Sequence, residues 1–504
     1  MAEWHALVEI SASETLRFSH RQVFVQDQAN SRSLRFQAGI KIESLPGIGV
    51  GGNVSLTIPV AVMDSQALRR AGVTVGDALC RVSLWRTGDD YSARIPLVYG
   101  RVNLASERRY LERTTFEVQG IEERADVRFP PYRLTREGFP ALPSGLAGQA
   151  FQVVYGRCKD VPLVPDSANT SALSSMRAII ACHRLASSSI LVRKDSSTDG
   201  ALQKAVLYDA DPASGATYAY VSITQAELAD FGATTLVADV DGKPAPGGHP
   251  LTGLGDVVCD IIESWGQLPA EQIDSERLSR FRARANAITV ASTFGQQGGG
   301  LVATLQSRYG NALPVEVSWR GGRLGADWLD FDESMPVARR LVYGRDLFGR
   351  IDPIEITPSE PVYSRFRVRY DLSRTGGSML GSLVIDEHTD PRCAAAASRA
   401  RIAGVRSGMI DYQTVDLVDV AESGSALVVG KSMVSRFGVP RTVVSYQAHT
   451  DIAARLPLLE KYLVSDDSGG AGWTDEPFRL MSIALNPSNL AVCVLTFVSF
   501  RSNP

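Results

Sequence analysis

Lysine is scarce in this chain. Only seven of its 52 basic Lys and Arg residues are lysine (Lys41, Lys159, Lys194, Lys204, Lys243, Lys431 and Lys461), and the other 45 are arginine. Cysteine is sparse too: Cys80, Cys158, Cys182, Cys259, Cys393 and Cys493 lie far apart, with no Cys-x-x-Cys. That spacing excludes a zinc ribbon and a dense disulfide framework. The six histidines, at 5, 20, 183, 249, 388 and 449, are as scattered, so no metal site is read here. No apolar run approaches the roughly 18–20 residues that span a bilayer. The start, Met1–Glu14, has neither a basic n-region nor a long apolar h-region, so no signal peptide is expected. A net charge of −3 gives no bulk attraction to nucleic acid. No Gly-x-Ser-x-Gly and no His-Glu-x-x-His is present. Gly295–Gly300 lacks the Gly-Lys-Ser/Thr end of a phosphate loop and reads as a flexible loop. Neighbouring side chains diverge, so Cys182-His183 is no nucleophile–base pair by adjacency alone.

What remains is an ordinary folded composition. With 504 residues, 44% hydrophobic and 21% charged, about three or four domains are expected. The arginine excess fits a GC-rich coding sequence, and it equally suits polar interfaces with other chains, where a rigid five-donor fork outperforms an ammonium.

Most of the chain alternates with period two, the mark of half-buried antiparallel strands. Val54, Leu56 and Ile58 alternate with Ser55, Thr57 and Pro59; Cys80, Val82 and Leu84 with Arg81, Ser83 and Trp85; Phe116 and Val118 with Glu117 and Gln119. Phe366, Val368, Tyr370 and Leu372 share one face, while Arg365, Arg367, Arg369 and Asp371 share the other. An arginine row needs water or an acidic partner, so these three arginines read as a solvated face or a candidate interface.

Five helices are signalled. Leu254 to Trp265 carries an apolar stripe at i, i+3, i+4, i+7, i+8 and i+11. Ile273–Ala285 has Asp274 or Ser275 as N-cap, with Leu278 and Phe281 inward. Leu301, Leu305 and Tyr309 mark a third, ended by Gly310. Asp390-Pro391 opens an alanine-rich fourth that runs to Gly404. Gly424–Phe437 is the fifth, stopped by Gly438 and Pro440. Asp241–Pro250, rich in Gly and Pro, reads as a flexible break, and Pro130–Gly148 as an irregular stretch. Phe478–Leu485 and Leu490–Val498 flank Asn486–Asn489 as a closing hairpin. The tetrapeptide Val-Tyr-Gly-Arg recurs at 98, 154 and 342, which predicts three strand ends with a glycine that allows positive φ.

Two acidic clusters are candidates for chemistry. Asp330 and Asp332 at i and i+2 on one strand face would lie about 6.6 Å apart, a spacing a glycoside hydrolase could use. Asp386, His388 and Asp390 could together hold a metal, but Asp390 already serves as an N-cap. The reading is no catalytic residue, no cofactor and no metal.

The ladder Gly76–Trp85, Arg94–Arg101 and Thr114–Ile121 resembles the first tube-like domain of bacteriophage tail hub (baseplate hub) proteins, also found in phage-like gene transfer particles. Ile273–Phe281, Gly300–Gly310 and the hairpin Val315–Trp319 with Gly322-Arg323-Leu324 resemble the hub's middle domain. The order Ser435–Arg441, Thr442–Tyr446, Leu459–Asp467 and Pro477–Ile483 resembles its second tube-like domain; Glu460-Lys461-Tyr462 stands where hubs often carry Gly-Asp. The resemblance implies a mainly β, multidomain fold with α+β insertions: two tail-tube-like antiparallel β-barrel or sandwich domains and a smaller helix-containing middle domain. The expected boundaries are 1–130 for the first tube-like domain, 131–250 for a second β-rich domain, 251–350 for the middle and 351–504 for the second tube-like domain with embedded helices. It further implies a homotrimeric ring in the virion tail tip, assembled in the host cytoplasm. Its partners would be the distal tail or tube protein, the tape measure and a central fibre. DNA would pass through the lumen without sequence-specific contact, and no membrane is involved in the free state. The alternatives are a β-rich carbohydrate-active hydrolase and a host receptor-binding tail protein.

Overall fold

The computed structural model describes residues 3–11, 15–42, 48–49, 57–62, 78–110, 113–120, 128–140, 142–166, 175–194, 201–224, 226–227, 236–296, 299–356, 363–373, 377–394, 413–439, 441–468 and 472–501. The fold is mainly β, with several sheets and short helices between them. Expectations at Val54–Leu56, Gly76-Asp77, Ile121, residues 395–404 and Pro440 lie outside the described residues.

The N-terminal sheet has ten strands. Its inward residues form one buried cluster, which includes Cys80, Val82, Leu84, Phe116 and Val118 as the alternation predicts. Five of its strands, in chain order Ile40–Ile42, Thr57–Val62, Leu79–Arg86, Ile95–Val102 and Thr114–Gly120, define the topology. The first pairs with the second, the second with the fifth, the fifth with the fourth and the fourth with the third, all antiparallel. The C-terminal sheet has seven strands. Here Leu347–Ile356, Thr442–His449, Lys461–Asp466, Trp473–Leu485 and Val492–Ser499 pair in the same order and sense. The two ends of the chain therefore carry the same five-strand arrangement twice. Among the described residues neither sheet closes on itself, so both are open sheets and not closed barrels. The closing hairpin is present, with Asn486–Asn489 as its turn.

Between them, residues 157–241 hold two four-stranded sheets around Val192, Ala219, Val221 and Val240. Leu254–Asp260 is α-helical and widens into a π turn over Ile261–Trp265, which buries the predicted stripe. Ser275–Ala285 is capped by Asp274, which accepts from the Arg277 N–H at 3.1 Å, and it buries Leu278 and Phe281. Leu301–Leu305 continues into a π turn through Gly310. Ser423–Phe437 is the long helix, with Ala426, Val429 and Val434 inward. The largest core cluster runs from Phe129 and Phe151 through Val257, Phe281 and Trp328 to Phe366, Val368 and Val429. The strands inserted after 363 thus pack on the helical middle as well.

Three local expectations are corrected. Asp241–Pro250 is no loose break: Ala245 donates to the His249 carbonyl at 2.7 Å and Leu251 to the Lys243 carbonyl at 2.9 Å. Around Gly295–Gly300, Ser292–Gln296 and Gly299–Gly300 are strands paired with Ala150–Tyr155 and Arg128-Phe129. Of the three Val-Tyr-Gly-Arg echoes, Gly156 and Gly344 follow strand ends at φ +73° and +82°, but Gly100 lies inside Ile95–Val102. A third position where glycine is required is the Gly321-Gly322 turn of the hairpin Val315–Arg320/Arg323–Trp328, at φ +57° and +77°. A Cβ at Gly322 would sit 2.3 Å from that of Tyr99, so the bare turn lets the middle hairpin press on the N-terminal sheet.

Candidate functional site

The two repeated sheets meet along a seam. Ile48-Gly49, between the first two strands of the N-terminal repeat, pairs antiparallel with Ser482-Ile483 in the fourth strand of the C-terminal one. Trp4 donates its indole N–H to Asp451 at 2.8 Å, and Arg86 pairs with the same carboxylate at 3.3 Å. Leu485 and Leu490 pack on the N-terminal core. Sequence reasoning missed this seam, because Trp4 and Asp451 are 447 residues apart and no local pattern links them.

Below the seam lies a cavity of about 210 Å³, whose walls include Leu84, Ile95, Leu456 and Ile483, with Arg277 and Arg320 also on it. These arginines share Asp327, at 2.5 Å from Arg277 and 2.7 Å from Arg320. Burial pushes the Asp327 carboxyl up, but Arg277 and Arg320 outweigh it and hold it below the usual carboxylate range.

The arginine row stands where the alternation puts it. Phe366 and Val368 are fully buried, Arg365 is half-buried, and Arg367 and Arg369 are exposed. Arg369 makes two bonds to Asp416, at 2.6 and 2.5 Å, on the neighbouring parallel strand Gln413–Leu417. Water screens this pair, so it orients the guanidinium more than it holds the sheet.

The acidic clusters are arranged differently from the strand-face and metal-ligand readings. Asp330 and Asp332 are not on a strand face; they lie in the connection after Arg323–Trp328, beside a groove of about 900 Å³. Asp332 accepts from the Ser334 N–H and hydroxyl at 2.9 and 2.7 Å, an Asx turn, while burial pushes the Asp330 carboxyl up. Asp390 accepts the Arg392 N–H and pairs with its guanidinium, and Asp386 accepts the His388 N–H. Among the described residues no cluster of His, Cys, Asp and Glu could hold a metal, and no helix is long and apolar enough to cross a membrane. All six cysteines are free and buried.

His183 has a structural duty. The Val154 N–H can only donate, so Nε2, at 2.9 Å, must accept and stay unprotonated. The remaining proton sits on Nδ1 and goes to the Arg184 carbonyl at 2.7 Å. Burial, with help from Lys243, lowers the imidazole to about 4. The folded value lies below the ordinary 6.5, so this stabilisation is complete above pH 6.5 and is lost as pH falls toward 4. The expected loss over that window is up to about 3 kcal/mol. Urea melts at pH 7 and 4.5 check it, and the His183→Gln variant should show a shallower pH slope over the same window.

No protein-family model matches the sequence, and no curated protein matches it. Solved structures do. The chain is similar to the tail protein from Neisseria meningitidis MC58, at 9% identity over 98% of this chain and 96% of that one, TM-score 0.40. It is similar to a chain of the virion of the native gene transfer agent (GTA) particle, at 14% identity over 73% and 87%, TM-score 0.43. It is also similar to the 43 kDa tail protein of prophage MuSo2 from Shewanella oneidensis, at 9% identity over 99% and 97%, TM-score 0.36.

Proposed function

We propose that this chain is a non-enzymatic structural subunit of a phage-type tail tip, three copies of which close a hub ring between the tail tube and the tip or central fibre. The observation that carries the reading is the duplicated five-strand sheet, side by side in one chain along a bonded seam. Three such chains bring six equivalent sheets to one ring, which lets a trimer meet a tube of sixfold symmetry without a second gene product. Heterologous contacts that close give that symmetry naturally. The divisions 1–130, 131–250, 251–350 and 351–504 serve as its tube-like, peripheral, middle and second tube-like parts. Arg365, Arg367 and Arg369 face a neighbouring tail protein. Partners are the distal tail or tube protein, the tape measure and the central fibre, in a virion assembled in the host cytoplasm.

Light scattering on the full chain tests this. The expected mass is three times the 54.4 kDa of one chain, or a whole multiple of that where rings associate, with ring-shaped particles in negative stain. A stable monomer at micromolar concentration would overturn the ring. Hydrolysis of cell-wall polysaccharide that vanishes in Asp330→Asn would favour the hydrolase instead.

A further inference from the structure

We propose that the strand Met379–Ile385 is a self-association edge, which pairs antiparallel with the same strand of a second copy of this chain. A bare sheet edge exposes a row of N–H and C=O groups, and proteins usually guard it with charge or proline. This chain follows that rule almost everywhere. Among the described residues, the strand orders of the five sheets with three or more strands end in ten strands, besides the two-residue side strands Ile48-Gly49 and Arg108-Arg109. Nine of these carry a charged residue or proline: Asp27, Lys41, Arg157, Pro165, Lys204, Asp209, Arg339, Arg350 and Asp416 each stand in one. The tenth, Met379-Leu380-Gly381-Ser382-Leu383-Val384-Ile385, carries neither.

Its side chains point the same way. Leu380 is 68% exposed and Val384 38%, on the outward face that alternates with the inward one. The inner face is fixed: Ile385 is buried in the core and lies so close to the Ser423–Phe437 helix that a Cβ on Gly430 would meet its Cδ1 at 2.3 Å. Among the described residues the edge is thus held in place and presents apolar surface that no further strand pairs. The sequence also matches itself. A two-fold axis through Ser382 sets Leu380 opposite Val384 of the copy, and Val384 opposite Leu380, so each exposed apolar side chain meets another. Ser382 meets Ser382. A two-fold contact cannot close a threefold ring. The pairing therefore joins subunits outside a ring, and it goes beyond the hub reading.

The test uses the full chain with Ser382→Cys. Directly opposed residues of an antiparallel pair have Cα atoms about 4.5–5.5 Å apart, within disulfide reach. The six native cysteines are buried and give little background. Mild oxidation should yield a covalent dimer in Ser382→Cys and none in the parent, and adding Leu380→Lys should cut its yield at least tenfold. In light scattering, Leu380→Lys should halve the mass of the associated species. Absence of the crosslink, or a crosslink and mass that Leu380→Lys leaves unchanged, overturns the proposal. The base mass of the lysine variant, one chain or three, separately reads the ring.

Discussion

Replacing Arg479 with alanine is expected to cost the C-terminal sheet about 4 kcal/mol or more, since each buried acceptor left without a donor costs roughly 1–3 kcal/mol. Among the described residues Arg479 is the largest fully buried side chain, 1% exposed, on the strand Trp473–Leu485. Its Nε donates to the Leu459 carbonyl at 2.8 Å, one terminal nitrogen to the Trp328 carbonyl at 2.8 Å, and the other to the Asp330 carbonyl. All three acceptors are backbone. The guanidinium thus ties the exit of the middle hairpin to the last sheet, and it lies 5.4 Å from the Phe331 ring. Burial pulls its pKa down to about 10, against the pull of Asp330, so it remains charged at neutral pH. Urea unfolding followed by tryptophan fluorescence reads the loss, because Trp328 and Trp473 flank the site. Arg479→Met separates the causes: it restores much of the volume but none of the donors. A loss close to that of alanine assigns the effect to hydrogen bonding, whereas recovery of most of it assigns the effect to packing.

Arg479 also shows what the sequence concealed. Read locally, it is one arginine in Phe478-Arg479-Leu480, and period two would place it outward between two core residues. In the structure Phe478, Arg479 and Leu480 are all buried, because the 328–330 segment covers the other face and supplies carbonyls. Local pattern predicted well wherever one face meets water. The strand at Thr114–Gly120, the capped helix at Ser275–Ala285 and the face of Phe366 and Val368 follow from spacing and caps alone. It failed where long-range contacts decide. Spacing alone puts Asp330 and Asp332 on one strand face, yet the strand stops at Trp328 and an Asx turn follows. Asp241–Pro250 reads as flexible from its glycines and prolines, yet its backbone bonds to itself and to Val154. The duplicated sheet was visible only as an order of elements. Each strand is separately legible, but the pairing of second with fifth is a tertiary choice that no local period encodes.

Asp327→Ala should be about as damaging as the loss of Arg479, for the opposite electrostatic reason. Breaking a buried ion pair by removing one partner typically costs about 3–5 kcal/mol, because a buried charge is left uncompensated. Here that charge is Arg277, since Arg320 keeps Glu316 at 3.5 Å. Arg277 is 4% exposed, and its guanidinium also donates to the Ser318 carbonyl and hydroxyl at 3.1 and 3.0 Å. Arg320 is pulled down by burial and then by Arg277, so the two cations already oppose each other with Asp327 between them. Asp327→Asn keeps the shape and removes the charge, and should recover little of the loss. Asp327→Ala combined with Arg277→Met removes the stranded cation and should be more stable than Asp327→Ala alone. A double-mutant cycle in urea that showed simple additivity would refute the triad. Acid should act on the same group. The carboxyl titrates lower in the folded chain than in the unfolded one, so its stabilisation is present above the ordinary value of 3.8 and is lost as pH falls through the lower folded value. The triad sits where the two repeated sheets and the middle hairpin converge. Loss of Asp327 should therefore lower the yield of the proposed trimer together with the stability of the chain, whereas Arg367→Ala on the outer sheet should leave stability unchanged.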